Sequence, residues 1–362
     1  MRGEPSGQAS MLSLVTPDHL VPDDHPLRRI KERADAALGE LSATFEAMYS
    51  QVGRPSIPPE RLLKASLLIA LFSVRSERQF CDQLRYNFLF RWFLDMNAIE
   101  ENFDATAFTH NRKRLIEHDV ARKFFREIVK QASAAKLMSG DHFTVDGTLI
   151  EAWASLKSFR PKDENPEDRE PPDDKGNPSV DFHGEKRSNA THESKTDPEA
   201  KLARKGNNVP AKLSYSEHAL MENRNGLLVD LRLESATGTA EWDAALSMAR
   251  EHLRPGATLG GDKGYDVSGF IGGIRELGVV PHVAQSTKRR RSRTDGRTTR
   301  HPGYTISQRI RKRVEEIFGW EKTVGGFRRT RLKGLVRNRL AAYMVGAAYN
   351  LVRMVKLLPA PA

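Results

Sequence analysis

Cysteine is nearly absent from this sequence, and long hydrophobic runs are missing altogether. Cys81 is the single cysteine among 362 residues, which excludes a disulfide within the chain and a metal site built from several thiolates, and favours a reducing compartment. The longest apolar run, Leu340 to Val352, contains Asn350 and is too short to span a bilayer. The first residues lack the apolar core of a signal peptide. We therefore expect a soluble, cytoplasmic protein that does not contact a membrane.

Acidic residues become scarce in one part of the chain. The whole sequence carries a net charge of +11, and the stretch from Lys288 to Arg339 holds 18 lysines and arginines against 4 acidic residues. The remainder of the chain is slightly acidic, so the positive charge is a local feature. A basic stretch of this density predicts salt-sensitive contacts with nucleic-acid phosphates. Its densest run consists of Lys288, Arg289, Arg290 and Arg291.

The N-terminal part of the chain has the apolar spacing of helices. Residues 1–25 are mostly polar and predict a flexible arm, whereas apolar residues recur at helical intervals from 26 to 137. We therefore expect an all-α N-terminal DNA-binding domain over 26–137. The stretch Phe108 to Leu115 carries Arg112 and Lys113, which predicts either the recognition helix of a helix-turn-helix or an ordinary solvated basic surface.

The central region alternates strands with crossover helices and predicts a mixed sheet covered by helices on both faces, over residues 138–334. One segment, from about 159 to 206, interrupts this pattern. Its part from Arg160 to Pro178 contains five prolines and seven acidic residues against four basic ones, so we expect a flexible, poorly packed insertion. Residues 335–362 then predict a C-terminal helix that packs on this sheet domain.

Two aspartates occupy unusual positions in this pattern. Asp146 lies within the apolar strand His142 to Leu149, and Asp262 follows the short strand Ala257 to Gly261. A carboxylate on a half-buried strand must be paired, hydrogen-bonded or bound to a cation. A lone aspartate of this kind would most simply cap a turn. Two of them on adjacent strand ends would repel each other, and divalent cations would remove the repulsion, Mg²⁺ being the one that prefers carboxylate and water oxygens.

A third acidic site, Glu315-Glu316, lies within the basic stretch. Ile310, Val314 and Ile317 give this segment a helical apolar stripe. Acids among so many cations are more often partners in surface ion pairs than metal ligands. The two strand-borne aspartates and the basic surroundings nevertheless make one of these glutamates a candidate ligand.

With these features the chain resembles the bacterial DDE transposases of the insertion-sequence-five family. The resemblance covers most of the chain, and its motifs are individually weak but specific in this order. They are Thr144–Thr148, Thr196–Ala200, Ala219–Asn223, Asp262–Asp266 and Arg311–Glu315. The resemblance implies a mixed α/β fold, in which an all-α N-terminal domain precedes an RNase H-like catalytic domain with a mixed five-stranded sheet flanked by helices. It also implies catalysis and metal binding by Asp146, Asp262 and Glu315, with two Mg²⁺ ions for which Mn²⁺ can substitute.

A further motif, Tyr-x₂-Arg-x₃-Glu-x₆-Lys, is shared with insertion-sequence-four relatives. It maps onto Arg311, Glu315 and Lys322, and implies that the arginine and the lysine contact DNA phosphates near the scissile bond. Its tyrosine position is Gln308 here, so that role is unfilled or taken by Tyr304. At about 100° per residue, the three matching residues share one stripe of a helix, provided that it continues through the glycine before Lys322. The remaining polar residues nearby are expected to be structural: Asp266, His282 and Glu316.

The resemblance implies a transposase that cleaves DNA at the ends of its insertion sequence and joins them to target DNA. The implied partners are the transposon-end DNA, the target DNA and a second copy of the chain in the synaptic complex. The resemblance also implies that the DNA-bound protein associates with the nucleoid. Two alternatives remain open. One is an RNase H-like DNA nuclease that does not join strands. The other is a catalytically inert DNA-binding protein, against which the three intact acids argue.

Overall fold

The structure is a computed structural model that places most of the chain. It describes residues 16–50, 56–97, 100–163, 181–182, 185–206, 209–286 and 292–359. Three of the sequence-based predictions fall wholly or partly outside these ranges. They concern the DNA contacts of Lys288, Arg289, Arg290 and Arg291, the first part of the arm (1–15) and the middle of the insertion (164–180).

The N-terminal part is all-α over the described residues, as predicted. Its helices are α1 (Pro17–Leu20), α2 (Pro26–Gly39), α3 (Ser42–Met48), α4 (Pro59–Leu71), α5 (Glu77–Leu84), α6 (Phe88–Phe93), α7 (Thr106–Glu117) and α8 (Val120–Ala134). Proline at N1 starts α4, and the Ser76 side chain caps α5 by accepting from the Gln79 N–H. The described end of the predicted arm is not loose. Asp18 of α1 accepts hydrogen bonds from Trp92 and Arg28.

The catalytic region follows with a run of strands and helices. Its elements are β1 (His142–Glu151), β2 (Phe159–Pro161), β3 (Asp181–Phe182), β4 (Glu185–Lys186), β5 (His192–Ser194), β6 (Lys201–Ala203), β7 (Lys212–Glu222), β8 (Leu228–Ser235), α9 (Ala240–His252), β9 (Thr258–Gly261), α10 (Ser268–Glu276), β10 (Val280–Val283), α11 (Gly296–Thr299), α12 (Tyr304–Ile310), α13 (Val314–Thr323) and α14 (Leu335–Leu357). A 3₁₀ turn, Arg311–Arg313, joins α12 to α13.

The main sheet is mixed, as predicted, and runs β10-β9-β1-β7, with β8 and β6 sharing the outer edge of β7. β1, β7 and β8 are antiparallel neighbours, whereas β9 is parallel to both β1 and β10. The sheet has six strands instead of the expected five. The additional strand exists because β7 is long enough to pair with β8 along most of its length and with β6 at Lys212 to Ser214.

Helices cover both faces of the sheet, and one of them, α14, contacts both the sheet and the N-terminal helices. On one face, Phe143 and Val145 pack with the apolar sides of α9 and α10. On the other face, Ile150 and Met221 share a continuous core with α13, α14 and the N-terminal helices. α14 contacts α2, α4, α7 and α8 as well as β8 and α13, so it joins the two regions and does more than pack on the catalytic domain. Of the described helices, none has the length and apolarity needed to cross a membrane.

The predicted insertion is packed at its flanks. β2 pairs with β5, and β6 joins the main sheet. Phe159, Ser194 and Asp197 are buried there, and Asp197 accepts a hydrogen bond of 2.6 Å from the Tyr215 hydroxyl. The expectation of a poorly packed segment from 159 to 206 is therefore wrong for these flanks, because a few apolar and hydrogen-bonding residues anchor them to β7.

Candidate active site

Asp146 lies near the middle of β1, on the sheet face that α13 covers. It is opposite Ala219 of β7, and one of its carboxylate oxygens accepts a hydrogen bond of 2.8 Å from the Gly147 N–H. Burial, together with the charges of Asp262 and Glu315, raises the pKa of Asp146 to about 6, although the Gly147 N–H and Arg311 act in the opposite direction. The charges of Asp262 and Glu315 both act on the carboxyl group of Asp146. A cation bound among these three residues would therefore stabilise their charged forms.

Asp262 stands beside Asp146 because of the parallel pairing of β1 with β9. Thr144 pairs with Gly260 in this register, so the two aspartates, each two residues further along, lie at the same level of adjacent strands. One Asp262 oxygen accepts a hydrogen bond of 2.6 Å from the Gly264 N–H. This bond fixes the carboxylate at the start of the turn that follows β9.

Glu315 reaches the site from the first turn of α13. The helix continues without a break through Gly319 to Thr323, so Glu315 and Lys322 lie on one helix as predicted. The predicted stripe is wrong for Arg311, which precedes α13 in the 3₁₀ turn. The neighbouring Glu316 is engaged elsewhere, in ion pairs with Arg353 at 2.8 Å and Arg313 at 3.7 Å. The structural role expected for Glu316 agrees with these contacts.

Arg311 is held against the sheet next to the aspartates. Its Cβ lies 3.6 Å from the position that a Cβ on Gly260 would occupy, an ordinary contact distance, so Arg311 packs against β9 two residues before Asp262. The Arg311 Nε donates to the Gln308 side-chain oxygen at 3.2 Å, and the Gln308 amide donates to the His282 carbonyl at 2.6 Å. Gln308 thereby ties Arg311 to β10, whereas the Tyr304 hydroxyl donates to the Val283 carbonyl.

Lys322 lies over β1 at the level of Thr148, to whose hydroxyl its ammonium group donates a hydrogen bond. Thr148 is on the same face as Asp146, two residues along the strand. Two fully buried acids lie close by, Glu217 opposite Thr148 and Glu321 on α13. Burial raises the pKa of Glu217 to about 7 and that of Glu321 well above its usual range. This pair therefore keeps a proton near neutral pH.

Glu241 is a carboxylate near the site that the sequence did not single out. It lies in the first turn of α9 and is half-buried. Burial raises its pKa, as do the charges of Asp262 and Asp146. The sequence offers no signal that separates Glu241 from the neighbouring Asp243, because both belong to the acidic first turn of an ordinary helix.

The other polar residues expected to be structural have structural contacts. Asp266 is buried and accepts hydrogen bonds from the backbone N–H groups of Ser286, Arg293 and Thr294. It thus fastens the loop after β10. The ring of His282 is buried between Ser307, at 2.7 Å, and the ring of His301, at 3.0 Å.

The donor set at the candidate site fits a hard divalent cation. Asp146, Asp262 and Glu315 offer only carboxylate oxygens, the ligands that Mg²⁺ prefers, and their mutual repulsion is what a cation would relieve. Their ligand atoms do not all lie within 4.8 Å of one another. Among the described residues, one group does meet that limit, Asp230 with Glu251 and His252. Arginines already neutralise that second group: Arg122, Arg126 and Arg232.

The two N-terminal residues that are predicted to bind DNA, Arg112 and Lys113, differ in how exposed they are to solvent. Arg112 is held in an ion pair with Glu77 and is mostly buried, whereas the Lys113 side chain is 83% exposed and pairs at 3.6 Å with the exposed Glu117. Arg112 lines a groove of about 610 Å³ between α4, α7, α14 and the loop that follows α13. Other arginines on the groove wall are Arg75, Arg328, Arg329 and Arg331. At its edge the Arg329 guanidinium stacks on the half-exposed Trp153 ring, 5.2 Å from its centre.

Comparisons with known proteins identify two regions of the chain. A family model described as Transposase domain (DUF772) matches residues 15–114, and one described as Transposase DDE domain matches residues 181–351. The second match contains Asp262 and Glu315, while Asp146 lies between the two matched regions. No curated protein sequence matches the chain.

Two solved structures are distantly similar. The piggyBac transposase synaptic complex with hairpin DNA is 11% identical, with a TM-score of 0.41, over 90% of this chain and 73% of that chain. The Mos1 transposase paired-end complex with left transposon end is 12% identical, with a TM-score of 0.19, over 84% of this chain and 98% of that chain. Likenesses this distant carry no argument about the site, which therefore depends on the geometry described above.

Proposed function

Since this chain belongs to the transposases that carry a DDE domain, we propose that it cleaves DNA at transposon ends and joins them to target DNA through Asp146, Asp262 and Glu315. One observation carries this assignment of the triad. The two aspartates stand level on adjacent parallel strands, and the charges of Asp262 and Glu315 both act on the carboxyl group of Asp146. Because a structural role does not require three acids to share one electrostatic site, a catalytic role is the better explanation.

DDE transposases use divalent metal ions, generally Mg²⁺. In this chain Asp146 would hold such ions together with Asp262 on the β9 side and Glu315 on the α13 side, two ions in all, with Mn²⁺ as a substitute. When bound, the ions supply Lewis-acid activation of the attacking water or 3′-hydroxyl and neutralise charge on the reacting phosphate.

Arg311 and Lys322 bind the DNA phosphates that flank the scissile bond in this proposal. Both are cationic; Arg311, in the 3₁₀ turn before α13, packs beside Gly260 of β9, and Lys322, on α13, contacts Thr148 on the face of β1 that carries Asp146. Charge-assisted hydrogen bonds from such groups stabilise negative charge where it develops on phosphate oxygens. Gln308 contributes by positioning the guanidinium group of Arg311.

Beyond the active site, we place the DNA on the basic surfaces of the chain. The arginine-lined groove, the exposed Lys113 and the run from Lys288 to Arg291 would contact the duplex backbone. A homodimer would bring two transposon ends together. We further propose that helix α7 reads base edges of the DNA, and that the chain belongs to the insertion-sequence-five subfamily.

A DNA cleavage and strand-transfer assay with the Asp146→Asn variant tests the proposal. We expect the variant to bind a transposon-end duplex nearly as well as the wild type but to lose cleavage and joining in Mg²⁺. The control is Asp141→Asn, which changes an exposed aspartate just before β1 that pairs with Arg254. Wild-type cleavage without any joined product would favour an RNase H-like nuclease, and normal transfer by Asp146→Asn would contradict the assignment.

A further inference from the structure

Gly147, the residue after Asp146, is surrounded by polar side chains from three different elements. We propose that one of them, Glu241, is a fourth carboxylate of the cation site at Asp146 and Asp262. The inference rests on the proposed function, since it extends the same metal centre from the α13 side to the α9 side of the sheet. Steric contacts, the anchoring of α9 and the lack of neutralising partners support it.

The first step is steric. A Cβ on Gly147 would lie 3.3 Å from a carboxylate oxygen of Glu241 and 3.0 Å from Nδ1 of His218. The Glu241 carboxylate therefore lies directly against the backbone next to Asp146. A side chain here would require the carboxylate or the imidazole to shift by a few tenths of an ångström.

The second step concerns how α9 is anchored. Trp242, the next residue on the helix, donates a hydrogen bond from its indole N–H to the Gly264 carbonyl at 3.2 Å. Gly264 is the residue whose N–H holds the Asp262 carboxylate. The start of α9 is thus fastened to the turn that carries Asp262, with the fully buried Tyr265 between them. Glu241 is held between the strand of one aspartate and the turn of the other.

The third step is electrostatic. Among the described residues no lysine, arginine or histidine forms an ion pair with Glu241, although it is half-buried and close enough to both aspartates to feel their charges. His218 is fully buried, and neither of its ring nitrogens has a hydrogen-bond partner in the described part of the chain. Glu241 and the unpartnered imidazole of His218 meet at Gly147 on the α9 face, beside the backbone of Asp146, and such groups can hold a divalent cation or a water molecule bound to it.

Binding of Mn²⁺ to the full-length protein without DNA, followed by electron paramagnetic resonance, tests the inference. We expect Glu241→Gln to weaken Mn²⁺ binding about tenfold or more, the range typical for residues that support metal ligands. It should raise the Mg²⁺ concentration needed for half-maximal cleavage by a similar factor. Asp243→Asn, an exposed acid in the same helical turn, should leave both values unchanged.

The outcomes separate this inference from the proposed function. If Asp146→Asn and Asp262→Asn lose Mn²⁺ binding while Glu241→Gln keeps the wild-type affinity, only the role of Glu241 is refuted. If none of the three variants changes Mn²⁺ binding, the metal site itself is refuted.

A second measurement on the wild-type protein avoids the risk that a variant fails to fold. Fe²⁺ bound at the site and treated with ascorbate and peroxide should cut the backbone near its ligands. We expect cuts near Asp146, Asp262 and the start of α9. Cuts near the two aspartates alone would overturn the inference.

Discussion

The choice between Glu315 and Glu316 as the third ligand gives the sharpest test of the α13 geometry. Replacing Glu315 by Gln removes a carboxylate whose charge acts on Asp146, so we expect cleavage to fall at least about 100-fold, equivalent to roughly 2.7 kcal/mol in the activation barrier. The same change removes one of the charges that repel the Asp146 carboxylate. The metal-free variant should therefore be as stable as the wild type or slightly more stable.

Glu316→Gln is the matched control, one residue along the same helix. It removes the ion pairs of Glu316 with Arg353 and Arg313. The Glu316 side chain is 46% exposed. Exposed pairs of this kind stabilise by about 0.2–1 kcal/mol, so the melting temperature should fall slightly while cleavage is retained. Both variants are measured in one cleavage assay and by thermal unfolding followed by circular dichroism. If only Glu316→Gln were inactive, the helix would present the wrong residue and the site would be misassigned.

Two further predictions concern the surroundings of the triad. Because burial raises the pKa of Glu217 from 4.5 to about 7, the folded state holds a proton that the unfolded state loses. The unfolding free energy should therefore fall as the pH rises from about 4.5 to about 7 and level off above it. Chemical denaturation at several pH values measures this, and a flat profile in wild type, or an unchanged slope in Glu217→Gln, would contradict it. Gln308→Ala should release Arg311 and lower cleavage several-fold at saturating DNA with unchanged melting, whereas unimpaired cleavage would show that Gln308 does not position the arginine.

The strand-borne part of the site could be predicted because its signals are local. A carboxylate inside or at the end of an apolar strand is costly wherever it occurs, so the sequence alone marks Asp146 and Asp262 as candidates. The helical periodicity around Val314 favoured Glu315 over Glu316 as the ligand, and this stays a prediction; Glu316 forms ion pairs, and the charge of Glu315 acts on Asp146.

The parts that could not be predicted depend on contacts between distant segments. Glu241 becomes notable only when the sheet places Gly147 and Asp262 next to α9. The pairing of Arg112 with Glu77 likewise depends on how α7 packs beside α5. The composition of residues 159–206 indicated disorder, but strand pairing and the bond from Tyr215 to Asp197 anchor its flanks. Composition averages over such anchors, so it does not reveal them.

The central claim is that Asp146, Asp262 and Glu315 form one cation site, and locating the ions tests it most directly. Crystals of the protein soaked in Mn²⁺ and measured for anomalous scattering would show where the ions bind. We expect peaks in contact with Asp146, one beside Asp262 and one beside Glu315. Mn²⁺ bound instead at the group of Asp230, Glu251 and His252, with none at Asp146, would contradict it.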